Sequence, residues 1–374
     1  MTEEEKQKRK AINEQKARFA GPTRPSMLRR SDYHDYTDRR MYLITMTTEG
    51  RRPLLGHLEG SIEEAHVVPS AVGAAVIRQW NGIAGFYPQI RIIATCLMPD
   101  HFHGILFVSA QLPVHLGVVI RGFKQGCTKE YRQIAAMNGG PQHPCLPQQP
   151  CLPQQPNSRQ QPNSRQQPTG TIKPVGRVVV GCDSSQQQPP SLWSSGYNDR
   201  ILKERGQLDR WIAYLKDNPR RLAMKRAHPE LFRVTTALPL LGTTFSSLGN
   251  LFLLNKPERV QVQCSRSLTP AQIEERKAFF LKLAAEGAVI VSPSISDGER
   301  AIVEAVYEAG YPLILLMKKG FHELQKPPKH FFDACAEGRL LWLSPFAYSN
   351  RPVPLYREMC LQLNEFARRI CEEL

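Results

Sequence analysis

The stretch from Gln89 to Val108 constrains the chain more than any other. Two apolar runs, Gln89–Met98 and His101–Val108, are separated only by Pro99-Asp100, so they read as successive strands with a brief break between them. Side chains alternate faces along a strand, which puts His101 and His103 on one side and sends Phe102 into a core. Two imidazoles side by side on a rigid strand make half of a metal site when a third ligand arrives from elsewhere. Without that ligand they are two polar residues on a solvated face.

The neighbouring sequence supplies the rest of a small layered domain. Met41–Thr48 is a β-branched strand bounded by Gly50, and a short stretch near Leu54–Leu58 can pair with it. Val68 to about Trp80 and Leu116 to about Ile134 carry apolar residues at helical spacing. The second of these helices is basic, with Arg121, Lys124, Lys129 and Arg132 along it. Strand, strand, helix, strand, strand, helix suits an antiparallel sheet with helices on one face.

At Asn138 the character changes. C-L-P-Q-Q-P occurs twice in tandem (Cys145–Pro150, Cys151–Pro156), then N-S-R-Q-Q-P twice (Asn157–Pro162, Asn163–Pro168). Such hexads cannot bury a core, so 138–190 is expected to be an extended or disordered insertion. Order returns at Ser191–Arg200, and a helix is expected over about Gln207–Asp217, ending near Asn218 because Pro219 disfavours helical geometry before it. Tyr214 and Asn218, four apart, share a helix face.

From about Asn255 the pattern becomes alternating strand and helix. Apolar strands at Ala288–Ser292, Pro312–Met317 and Arg339–Ser344 imply a parallel sheet covered on both faces, closed by an amphipathic helix over Pro354–Glu373. Arg221–Leu254 is apolar-rich and reads only as a connection. The 374 residues, 41% hydrophobic, suffice for two domains. A net charge of +15 favours a polyanionic partner, nucleic acid first. No apolar run approaches the roughly 20 residues of a spanning helix, and the charged start of the chain is no secretory signal. Nine cysteines without a C-x-x-C pair argue for a reducing, cytoplasmic setting.

Three segments carry a resemblance: Met98–His103 (M-P-D-H-F-H), Trp193–Asp199 (W-S-S-G-Y-N-D) and Tyr214–Pro219 (Y-L-K-D-N-P). In this order they resemble the HUH-type single-tyrosine transposases, and most closely the REP-associated tyrosine transposase branch. The resemblance covers roughly Arg40–Arg221 apart from the insertion. It implies a ferredoxin-like antiparallel sheet with helices, Tyr214 as nucleophile, and His101, His103 and Asn218 as ligands of Mg²⁺ or Mn²⁺. It also implies DNA contacts by Arg121, Lys124, Trp193 and Tyr197, with packing open as the alternative for Tyr197. The expected substrate is a single-stranded DNA hairpin, cleaved through a 5′-phosphotyrosine, by a nucleoid-associated protein when DNA is bound. The broader family implies a homodimer, whereas the REP-associated branch allows a monomer.

The residues support that chemistry independently. A tyrosine hydroxyl, with an ordinary pKa of about 10, needs a polarised phosphate to attack it, which a divalent ion supplies. Tyr131 and Tyr197 compete with Tyr214 for the role. Asp100, beside His101 on what reads as a strand, is expected to face away from it. A catalytically idle DNA-binding accessory protein is the alternative from another class.

The C-terminal part, from Ala288–Arg300 and Tyr311–Gly320, resembles the Rossmann-like domain of DNA-processing protein A. Ser292–Gly298 opens a helix where backbone N–H groups can cradle a phosphate, although neither G-x-G-x-x-G nor a P-loop is present. A docking role is expected rather than nucleotide sensing. The expected organisation is therefore α+β: a polar tail (1–38), the transposase domain (39–222), a connection (223–254), and a smaller α/β Rossmann-like domain (255–374).

Overall fold

A computed structural model describes residues 34–137, 191–265, 267–328 and 331–374. The hexad insertion and nearly all of the N-terminal tail lie outside the described residues. The chain is mixed α/β and divides into two units, Met1–Glu59 with Val67–Lys216 and Gly60–His66 with Asp217–Leu374.

The first unit is built on a sheet of β1 (Arg40–Thr47), β4 (Ile90–Met98), β5 (His101–Val108) and β6 (Asn198–Leu202) in the order β4-β5-β1-β6, every pair antiparallel. A two-stranded ribbon, β2 (Gly56–Glu59) with β3 (His66–Pro69), precedes helix α1 (Ala71–Phe86). Ser70 caps α1 by accepting from the Gly73 N–H at 3.0 Å. Helix α2 (Leu116–Met137) follows β5.

Alternation along the strands sorts side chains as expected. Tyr42, Ile44 and Met46 of β1 and Phe102, Leu106 and Val108 of β5 join Trp80 and Phe123 of the two helices in one core. Gly104 sits under Trp80, where a Cβ would come within 2.2 Å of the indole, so no larger residue fits beside His103. The opposite face carries Thr45, His101 and His103.

Helix α3 (Gln207–Ala227) runs through Pro219 instead of ending at Asn218. Proline removes one backbone hydrogen bond, but the second half of the helix has its own anchors. Arg220 bridges Asp217 at 2.7 Å and Asp333 at 2.6 Å, Arg221 stacks over Phe332, and Met224 is buried.

The second unit contains a six-stranded sheet in the order β7-β8-β12-β11-β10-β9. Its parallel part is β9 (Arg259–Gln261), β10 (Val289–Ser292), β11 (Leu313–Leu316) and β12 (Leu340–Ser344). Helices α4 (Pro270–Ala285), α5 (Asp297–Glu308) and α6 (Phe331–Ala336) bury Phe280, Ile302, Val306 and Ala334 against one face. Helix α7 (Arg357–Glu372) buries Leu363, Ala367 and Ile370 against the other. The stretch expected only as a connection supplies β7 (Thr235–Leu240) and β8 (Thr243–Gly249), antiparallel to each other, with β8 antiparallel to β12. Their two-residue turn has positive φ at both Leu241 (51°) and Gly242 (75°), the geometry that matches strand twist in a tight hairpin.

Candidate active site

The turn between β4 and β5 is fixed by its carbonyls. Leu55 N–H donates to Pro99 O at 3.0 Å, and the buried Thr48 donates to Asp100 O through both its N–H (2.9 Å) and its hydroxyl (3.0 Å). Asp100 therefore lies in a turn, where strand alternation does not apply, and its side chain folds toward His101 instead of away. Its Oδ1 lies 2.6 Å from His101 Nδ1, and its Oδ2 accepts from Arg51 at 3.3 Å. Burial opposes charge on Asp100, but the hydrogen bonds to His101 and Arg51 outweigh it and hold the carboxyl at about 2. A carboxylate only accepts, so the proton of this contact is on His101 Nδ1.

His103 is held differently. It faces Thr45 across the β1–β5 ladder, and its Nδ1 is 2.8 Å from the Thr45 hydroxyl. It is 8% exposed. Burial, followed by the positive field of His101 and Arg51, pushes it down to about 3, so the ring is neutral at neutral pH. The two imidazoles stand 4.9 Å apart between centroids at 88°. With both Nδ1 atoms engaged, only Nε2 remains on each ring to meet a ligand. A metal-binding histidine typically has its second nitrogen tied down in this way.

Tyr214 arrives from α3, its ring centroid 6.4 Å from that of His103. It is 38% exposed, whereas its competitors Tyr131 and Tyr197 are 7% and 9% exposed. A phosphodiester is bulky and charged and can reach only the first. Trp211, one turn earlier, meets Tyr214 edge-on at 5.3 Å and carries the Arg200 guanidinium over its ring at 5.0 Å. Thus the first unit brings together His101, His103 and Tyr214 of the expected set. Asn218, one turn beyond Tyr214 on the same helix, is counted with the second unit. Among the described residues no group of three or more His, Cys, Asp or Glu is arranged to hold a metal ion. Two imidazoles alone do not complete a coordination shell, and an ion held there would need oxygen donors such as an amide, phosphate or water.

The residues expected to contact DNA separate into two kinds. Trp193 and Tyr197 are core residues of the first unit, and Trp193 packs on Phe123 at 6.2 Å. Both rings pack in that core, and both residues also line the groove described next. Lys124 donates to the Ser194 and Gly196 carbonyls at 2.8 and 2.7 Å, which spends two of its three N–H groups on holding the loop that follows Trp193. Burial lowers its pKa, opposed by Glu49. Arg121 is exposed on α2 and, with Lys124, Lys129 and Arg132, lines a groove of about 980 Å³ whose only acidic lining residue among those described is Glu49. Thr45, Arg51, Trp211 and Arg200 carried no sequence signal of their own.

In the second unit the expected phosphate cradle is occupied from within. Glu299 accepts from the N–H groups of Ile295 (2.6 Å), Ser296 (3.3 Å) and Cys264 (3.3 Å), while Ser296 caps α5. An anion there would meet a buried carboxylate.

No family model matches the chain. An uncharacterized protein of Haemophilus influenzae (strain ATCC 51907 / DSM 11121 / KW20 / Rd) is 28% identical over 124 residues, covering 28% of this chain and 67% of that protein. DNA processing protein A from Helicobacter pylori, a structure described for its single-stranded DNA binding mode, is 21% identical with a TM-score of 0.27. The match covers 34% of this chain and spans 57% of that one. A REP-associated tyrosine transposase bound to a REP hairpin is 13% identical with a TM-score of 0.26, over 51% of this chain and 73% of that one. At such scores the functional reading rests on the side chains. No helix among the described residues is long and apolar enough to cross a membrane.

Proposed function

We propose that the chain is a metal-dependent transposase or strand transferase that cuts and rejoins single-stranded hairpin DNA through Tyr214. The observation that carries this reading is an exposed tyrosine ring 6.4 Å from one of two histidines whose Nδ1 atoms are both engaged. The Tyr214 oxygen forms a bond to phosphorus as the bond from phosphorus to the 3′ oxygen breaks. The phenolic proton is lost, the departing 3′ oxygen gains one, and the 5′ end stays on the protein as a phosphotyrosine. Attack by a 3′-OH reverses the step and joins strands, with no external energy source. His101 and His103 would hold a divalent ion through their remaining ring nitrogens, and such an ion would supply Lewis-acid polarisation of the phosphate. Asn218, which the resemblance names as third ligand, is part of this proposal. Asp100 and Thr45 orient the two rings, His103 stays neutral, and the exposed side chains of the α2 groove attract the strand's backbone. The protein then works at the nucleoid, as monomer or dimer, and the second unit serves in docking.

The test is incubation with labelled single-stranded hairpins and Mg²⁺ or Mn²⁺, followed by a denaturing gel, for the unmodified chain and Tyr214→Phe. A covalent adduct lost in Tyr214→Phe is expected. An adduct that survives the substitution refutes Tyr214 as nucleophile, and binding without any adduct converts the reading to an idle DNA-binding accessory protein.

A further inference from the structure

The sheet face that carries the histidine pair continues to the far end of the strands and finishes in a second basic cleft. Thr45 faces His103 and Asn198, and four residues back along β1 Met41 faces Phe107 and Leu202. Alternation keeps both rows on one face. Met41, Phe107 and Leu202 line a cleft of about 440 Å³ together with Arg39, Arg40, Lys203 and Arg205. The guanidinium of Arg39 lies over the Phe107 ring at 5.4 Å. None of these four cations forms an ion pair within the described residues, and the one acidic lining residue, Glu204, is already bridged to Arg210 at 3.2 Å. All four cations are exposed, and gathered around an apolar floor they set up a positive field that favours an anion. The loop bearing Lys203 and Arg205 also leads directly into the helix of Tyr214: Gln207 accepts from the Lys203 and Glu204 N–H groups at 2.8 and 3.1 Å.

We propose that this cleft is a second phosphate-binding site that grips the backbone of a nucleic-acid strand on the same sheet face as the histidine pair. Four residues of β5 separate Phe107 from His103, roughly 13 Å at strand rise. That span is about four nucleotide steps at the 3.4 Å rise of one duplex strand, and fewer if the strand is stretched. A strand lying at the histidine pair and running along this face therefore presents a phosphate about four nucleotides away to the cleft. The proposal builds on the single-strand reading of the site, but binding at the cleft does not require the tyrosine chemistry.

The test uses the full chain carrying Tyr214→Phe, so that no cleavage intervenes. Fluorescence anisotropy with a labelled single strand of about 20 nucleotides, across a salt series, gives the slope of log affinity against log salt. Each phosphate contact on a single strand contributes about 0.7 to that slope. The triple variant Arg39→Ser, Lys203→Ser, Arg205→Ser is expected to flatten it by about 2, while Arg39→Lys with Arg205→Lys keeps it. An unchanged slope in the folded triple variant overturns the proposal. So does loss of inorganic phosphate binding with strand binding intact, which marks a small-anion site, or equal competition by a poly-glutamate peptide, which marks a general acidic-partner site. Because the adduct assay reports on Tyr214 separately, failure of the cleft and failure of the nucleophile are distinguishable.

Discussion

Asp100→Asn probes the histidine pair most directly, because it keeps the shape of the side chain and removes its charge. The contact from Asp100 Oδ1 to His101 Nδ1 is 2.6 Å, short enough for a charge-assisted hydrogen bond. Such bonds contribute roughly 1.5–3 kcal/mol where neutral ones contribute about 1. An asparagine oxygen still accepts from Nδ1, so the difference is about 1.4 kcal/mol, or tenfold in an equilibrium constant. Tenfold weaker Mn²⁺ binding is therefore expected, at the low end of the 10- to 100-fold span usual for partners of ligating histidines. Asp100→Ala, which also releases Arg51, should lose more. The assay is a Mn²⁺ titration followed by calorimetry or by the electron paramagnetic resonance of the free ion, with His101→Ala as the zero-binding reference. Unchanged affinity in a folded Asp100→Asn protein would refute the claim that this carboxylate orients His101. Unchanged affinity in His101→Ala would remove the metal site itself.

Other substitutions test separate parts of the structure. Two imidazole nitrogens suit Mn²⁺ better than Mg²⁺, which prefers an all-oxygen octahedron, so adduct yield at limiting metal should be higher with Mn²⁺. Lys124→Met removes the bonds to Ser194 and Gly196 and should destabilise the first unit by about 2 kcal/mol, read as a lowered urea midpoint. Gly104→Ala places a methyl 2.2 Å from Trp80 and should cost about 3 kcal/mol as an overpacked core, measured in the same experiment.

What was legible in the sequence follows from what each residue's role depends on. The strands Val289–Ser292, Leu313–Leu316 and Leu340–Ser344 stand out because burial on both faces leaves continuous apolar runs. The β7–β8 hairpin was hidden by Leu241, which adopts positive φ where asparagine or aspartate would have announced the turn. Pro219 reads as a helix end, yet ion pairs and ring contacts of Arg220 and Arg221 carry the helix beyond it. His101, His103 and Tyr214 could be named because their chemistry lies in their side-chain type and spacing. Their supports could not: Asp100 turns toward His101 through a turn conformation, and Thr45 meets His103 across 58 residues of chain. Only strand register creates that second contact.

Thr45 offers the sharper discrimination between orientation and mere packing. His103 is buried and kept neutral, and the Thr45 hydroxyl is the partner seen at its Nδ1. Thr45→Val keeps the volume and the β-branched fit of the strand but leaves that nitrogen facing a methyl group. An unsatisfied buried polar atom costs about 1–3 kcal/mol, so the first unit should lose about 2 kcal/mol in denaturant unfolding. The ring would also be free to turn, and Mn²⁺ affinity should fall about tenfold as for Asp100→Asn. Thr45→Ser, which loses a methyl but keeps the hydroxyl, should retain the affinity while giving up some stability. If Thr45→Val and Thr45→Ser bind Mn²⁺ equally, the hydroxyl does not position His103, and the pair's alignment comes from strand geometry alone.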